Sequence, residues 1–401
     1  MSQVEESTGY DPGGFMDPAV SADPQPFYRQ ARATGAVVPG TFGPQIVRRA
    51  AVDFALHHPE DFSSGMGSVD LGQSVPLIPL QVDPPDHRNY RRLLDPIFAP
   101  RQMNVLKPEI TRLVNERIDG FIDRGECDFA EELAVPLPSS VFLGLVGLPL
   151  SELELFLSMK DGILRPTGVD MDEVQANQKV AARQIEEYFA EAIEDRQKQK
   201  GNHDDMLTLF LNAEIEGQRL TVDEIVGICF LFILAGLDTV TDSLECFVAY
   251  LAQHPDQRQR IVDDPSIIPS AVEELLRWET PVTAVPRLAM KDMDLGGCPI
   301  KKGDNIAVSI GAANTDEEAL PDAGIVDLTR NPNKHLAFGG GIHRCLGSHL
   351  ARIELRITLN EWHHRIPDYS LAPGAELSYM PGLRQIEKLH LVFDPSGPGR
   401  G

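Results

Sequence analysis

Positions 225–237 form an unbroken run of thirteen apolar or glycine residues, closed by Asp238. Thr221 and Glu224 precede it with the spacing of a capping box, so a helix is predicted from Thr221 to about Gln253. The run is apolar all round yet shorter than a membrane span, which predicts a buried central helix. Within it Gly236 weakens the helix, and Thr239 can bond back to the Ala235 carbonyl. A local opening is therefore expected there.

Other stretches with helical periodicity are 23–34, stopped by Gly35, then 49–58, 104–124, 139–161, 174–200 and 346–360. Asp86 is a candidate N-cap for a helix ending before Pro96, and Ser270 with Glu273 reads as a second capping box. Pro136 and Pro138 read as breaks. Short strands are expected at 36–38, 45–48, 282–287, 294–300, 305–310 and 387–393. The fold class is mainly α with a smaller β-rich part. One domain is expected over 1–401, its β-rich lobe drawn mainly from about 36–60, 282–310 and 385–394. Two irregular stretches remain, 62–80 and 160–172, and loops of that length in a compact domain are usually functional. The ends, to about Gly14 and from Pro395, read as loose.

Composition narrows the function. Of 401 residues 42% are hydrophobic, ordinary for a globular protein, and the formal charge is −24. So negative a chain is a poor partner for nucleic acid or an anionic membrane, where binding is driven by cations. The N-terminus lacks the basic and apolar regions of a secretory signal, so a cytoplasmic protein is expected. Cysteines 127, 229, 246, 298 and 345 are odd in number and lack both paired and zinc-site spacing, which suits a reducing compartment.

The stretch that carries chemistry is FGGGIHRCLG, 338–347. It places Cys345 at the end of a glycine-rich loop, directly before a helix-forming run. A thiolate there meets unpaired N–H groups and the favourable end of the helix dipole, which are expected to hold it anionic. Gly339, Gly340 and Gly341 let the backbone turn tightly beside a flat ligand, and Phe338 offers a ring near the sulfur. Given the composition, Phe338, Gly341, Cys345 and Gly347 at this spacing would arise by chance on the order of once in a thousand such chains.

This loop resembles the haem-binding signature of the cytochrome P450 family, and the resemblance extends over nearly the whole chain. It implies haem b with iron ligated by Cys345, in a triangular-prism fold with the haem between the central helix and the helix after the cysteine loop. A thiolate ligand of this kind favours O–O cleavage. The resemblance makes Phe338 and Gly347 parts of the haem loop. His87, Arg91, Arg287 and His343 match contacts to the haem propionates; His87 and Arg91, four apart, also share one helix face. Asp238 and Thr239 match the acid and alcohol that pass protons to dioxygen. Glu274 and Arg277 match a structural ion pair bracing the haem loop. Ile325-Val326 departs from the pattern where the usual third partner stands, leaving Arg330 or His335 to substitute. The stretches 62–80 and 160–172 match a pocket cover and a mobile lid, and 387–393 a strand returning to the pocket.

The activity implied is insertion of one oxygen atom from O2 into a C–H bond. The substrate is an apolar molecule such as a terpenoid, fatty acid or steroid, with Leu231, Leu234, Ala235, Val282 and Val285 as pocket wall. No flavin or cluster motif is present, so electrons would arrive from NAD(P)H through ferredoxin reductase and ferredoxin. The docking face is expected at Arg88, Arg92, Arg344 and Arg352 of a monomer. A peroxide-driven oxygenase is the alternative enzyme, which the Asp238–Thr239 pair argues against. A haem sensor without turnover is the alternative from another class.

Overall fold

The computed structural model describes residues 10–198 and 205–395. It is 56% helical with a smaller sheet part. The predicted capping box forms: Thr221 Oγ1 accepts from Glu224 N, and the Glu224 carboxylate accepts from Thr221 N. Helix Val222–Leu237 follows, breaks at Asp238, and resumes as Thr239–Gln253. The two helices separate the main packing regions. Residues of Val222–Leu237 pack with Leu153–Leu164 and Met171–Lys198, whereas Thr239–Gln253 packs with Lys107–Asp119, Ile268–Glu279 and Ser348–Arg365. Val222–Gln253 contains an 18-residue window long and apolar enough to cross a membrane, and 67% of that window is buried inside the protein.

Five strands form the larger sheet in the order Val37–Gly40, Gly43–Ile46, Asn305–Ser309, Ala284–Ala289, Phe62–Ser63. Gly43–Ile46 runs parallel to Asn305–Ser309, with Ala307 opposite Gln45, and the other pairs are antiparallel. The strand at the C-terminal end, His390–Phe393, does not join this sheet or reach the cavity. It pairs with Tyr369–Leu371 and Glu126–Asp128, its apolar side chains packing beneath Trp362.

Several local expectations are corrected. Pro136 and Pro138 do not break a helix but sit in the first turn of Pro136–Val146, where a missing N–H costs little. Asp86 is already helical and makes no side-chain cap bond to His87–Leu94. Helix Ile268–Glu279 starts before Ser270, whose hydroxyl donates to Ile267 O, so Ser270 and Glu273 form no capping box. Lys160 is inside helix Leu153–Leu164, leaving a shorter loop before Met171–Lys198. Residues 10–14 are ordered: Tyr10 stacks on Phe27 at 5.6 Å and a 3₁₀ turn covers Pro12–Met16. Residues 1–9 and 396–401, and Gln199 and Lys200 at the end of the predicted 174–200 helix, lie outside the described residues.

Candidate active site

A cavity with an empty volume of about 1550 Å³, solvent at its mouth included, lies between the central helices and the loop that carries Cys345. Leu231, Ala235 and Thr239, four residues apart, line one wall; Phe338, Cys345 and Gly347 line the other. Val282, Val285 and Leu80 add apolar surface. Leu234 is the exception among the expected wall residues. It lies about 100° around the helix from Ala235 and packs into the core against the outer helices.

The cysteine loop is held from both sides. Cys345 N donates to Phe338 O at 2.8 Å, and Leu336 N donates to Asn314 Oδ1 at 2.6 Å. Gly341 takes φ +62, and a Cβ there would lie 1.9 Å from Leu56 O, so this glycine serves packing on helix Arg49–His57. Of the five free cysteines only Cys345 lines the cavity. Its exposed surface opens into that interior, and burial pushes the thiol up. The Gly347 N–H and the charges of Arg344, Arg91 and Arg352 oppose burial without overcoming it. The helix itself begins only at Ser348. The sulfur therefore stands three residues ahead of the helix, not at its first turn as the sequence suggests.

Three of the four expected anion contacts crowd together. The rings of His87 and His343 meet edge to face at 4.5 Å, and both Nε2 atoms are buried with no hydrogen-bond partner among the described residues. Burial pushes His343 down to about 3, helped by the charges of Arg287, His87 and Arg91. Burial likewise lowers Arg287 to about 10, with Asp83 opposing. Its guanidinium donates to the adjacent Pro286 O at 2.7 Å. Arg91 is better satisfied, bonding Arg344 O at 2.9 Å and Asp95 at 2.8 Å. Donors buried without counter-charge are costly unless an anion completes them.

The central helix bends as expected. Thr239 Oγ1 donates to Ala235 O at 3.0 Å and faces the cavity. Gly236 is required by a close approach, since a Cβ there would meet the Phe142 ring at 2.8 Å. Asp238, by contrast, does not line the cavity. Its carboxylate is buried between Lys160 Nζ, at 2.5 Å, and Arg165, at 3.0 Å. Sequence reasoning missed both cations. It also missed Glu354, a buried carboxyl lining the cavity that desolvation raises well above the usual range.

Glu274 and Arg277 form a fully buried bidentate pair, with both contacts at 2.8 Å. Arg330 supplies the third partner, Nε to Glu274 Oε2 at 3.0 Å, and Asn333 and the Asp327 N–H add two more donors. His335 bonds Glu273 instead.

The cytochrome P450 family model matches residues 152–265 and 266–362. The chain belongs to the cytochrome P450 family. A steroid C26-monooxygenase of Mycolicibacterium smegmatis is 32% identical over 350 residues, 87% of either chain. The mycinamicin IV hydroxylase/epoxidase of Micromonospora griseorubida is 34% identical over 309 residues, 76% of each. In structure, CYP109E1 of Bacillus megaterium in complex with testosterone superposes with a TM-score of 0.87 at 29% identity, covering 94% of this chain and all of that one. P450 enzymes are haem-thiolate oxidoreductases that incorporate oxygen, their iron ligated by a cysteine. The residues present fit that group: a sulfur facing the cavity, and a cluster of buried donors without an anion.

Proposed function

We propose that this P450 hydroxylates an apolar small molecule with O2, holding haem b through Cys345 and its propionates through His87, His343, Arg287 and Arg91. The observation that carries the reading is the pair of unpartnered histidine nitrogens, His87 and His343, of which His343 lines the same cavity as Cys345. Haem, when bound, supplies reductive activation of dioxygen, which a sulfur ligand promotes. The protein's part is to seat, exclude and deliver. Val282, Val285, Leu231 and Leu80 give the substrate an apolar wall that displaces water. Thr239, its hydroxyl inside the cavity, holds a proton position next to the helix bend.

A bulky alicyclic substrate such as a steroid is favoured by the relatives whose names or bound ligands are steroids. Electrons come from ferredoxin and its NAD(P)H-dependent reductase to a cytoplasmic monomer. Arg88, Arg92 and Arg344 are exposed near the cysteine loop; Arg352 is occupied by Glu273 and leaves this set.

The test is Cys345→Ala with the reduced, carbon monoxide-bound spectrum as readout. Loss of the thiolate-type band is expected, and its survival would refute the ligand assignment. Titration of wild type with steroids, terpenoids and fatty acids should give a haem spin-state change with at least one class. No response to any of them would reject the apolar-substrate reading.

A further inference from the structure

Glu273 stands one residue before Glu274 and serves a different end. Its carboxylate accepts from Arg352 Nε and Nη2, both at 2.7 Å, from Arg356 at 3.0 Å and from His335 Nε2 at 3.0 Å. His335 Nδ1 accepts from Ala337 N, so its proton is on Nε2 and points at Glu273. Burial pushes the Glu273 carboxyl up, but the bonds from His335 and Arg352 pull it well below the ordinary carboxylate range.

The other side of this clamp faces the cysteine loop. The Arg352 guanidinium lies 4.2 Å over the Phe338 ring, and the His335 ring is 5.9 Å from it. Phe338 in turn accepts the Cys345 N–H on its carbonyl. Arg352 is also one of three cations whose charge reaches Cys345. An exposed ion pair would be worth little. This one is bidentate, four-fifths buried, and stacked on the residue that anchors the cysteine.

We infer that Glu273 sets how much of the Arg352 charge Cys345 experiences, so that the Glu273–Arg352–Phe338 stack tunes the reduction potential of the group bound there. Glu273 and Arg352 are positioning residues in this role. The inference rests on Cys345 as the iron ligand. One-electron reduction by dithionite of a haem held at Cys345 would add negative charge beside the sulfur. An uncancelled cation nearby favours that change and an uncancelled anion opposes it.

The experiment is a redox titration of the haem-loaded full chain with dithionite, alongside haem content and thermal unfolding. Glu273→Gln unmasks Arg352 and is expected to shift the midpoint positive. Arg352→Met leaves more of the carboxylate uncancelled and is expected to shift it negative. Each shift should be on the order of fivefold in the reduction equilibrium constant. Arg356→Met removes a cation from the same carboxylate, but one not stacked on Phe338, and should shift it less than Arg352→Met. Damage to the loop would not give opposite signs.

Shifts of the same sign, no shift in either variant, or an Arg356→Met shift equal to that of Arg352→Met would overturn the inference. Should a charge-removing variant lose haem, Glu273→Asp and Arg352→Lys keep the charges. A midpoint near wild type in both would support the electrostatic role; one displaced as far as fivefold in either would overturn it. A wild-type protein without the thiolate-type carbon monoxide spectrum would sink the ligand assignment instead, which separates the two failures.

Discussion

Lys160 Nζ lies 2.5 Å from Asp238 Oδ1, and both side chains are almost sealed from solvent. The helix that borders the loop before Met171–Lys198 is thereby bolted to the bend of the central helix. Arg165 closes the other carboxylate oxygen. Removing one member of a buried pair costs up to about 3–5 kcal/mol, less whatever the remaining partner recovers. Lys160→Met should therefore lower the urea midpoint clearly. Thr239→Ala should leave it nearly in place and instead divert reducing equivalents from product to peroxide, by roughly tenfold or more. Equal stability in Lys160→Met and wild type would show that this ion pair adds nothing to the stability of the fold.

The Glu274 carboxylate gathers donors from Arg277, Asp327, Arg330 and Asn333. Glu274→Gln leaves Arg277 as a fully buried cation without its counter-charge, and about 3–5 kcal/mol of stability should be lost. Arg330→Gln removes a partly exposed partner and should cost less, about 1.5–3 kcal/mol. Thermal unfolding of the two variants checks the order, and a larger loss in Arg330→Gln would contradict it.

His363 gives a pH dependence with a definite sign. It is buried neutral, with Nδ1 2.7 Å from Leu359 O and Nε2 3.2 Å from the Tyr369 hydroxyl. Burial lowers it to about 4. Its folded value lies below its unfolded one, so between about pH 6.5 and 4 the unfolded chain binds the extra proton and stability rises with pH. The contribution is full above about 6.5 and is lost as pH falls, amounting to at most about 3 kcal/mol. Stability curves of His363→Gln should be flatter than wild type across that window by about one proton.

Arg92 and Arg344 are exposed on the side of the cysteine loop. Charge reversal, Arg92→Glu or Arg344→Glu, should slow reduction by ferredoxin, and the deficit should shrink as salt rises. Stopped-flow reduction rates unchanged in both variants would place the docking face elsewhere.

What the sequence disclosed was local. Cys345, its glycines and the capping box at Thr221 are signals within a few residues; the box forms and Cys345 lines the cavity, while Gly341 is required by packing on Leu56. The Lys160–Asp238 pair spans 78 positions and left no mark in any periodicity. Leu234 was misplaced for a related reason: on a helix apolar all round, composition cannot say which strip faces a cavity. Pro136 and Pro138 misled because a proline that stops one helix looks the same as one that starts the next. Arg330 could be offered only as one of two candidates, since choosing it required knowing how the segment after Pro321 folds back.

That return of the chain to Glu274 has a practical bearing on chimeras. The ion-pair partner at 330, with its companions at 327 and 333, is matched to the helix carrying Glu274. A foreign segment grafted over 322–333 without an arginine at 330 would strand the carboxylate. Helix Ile268–Glu279 and that segment therefore make a single exchangeable module, to be transplanted together or left alone.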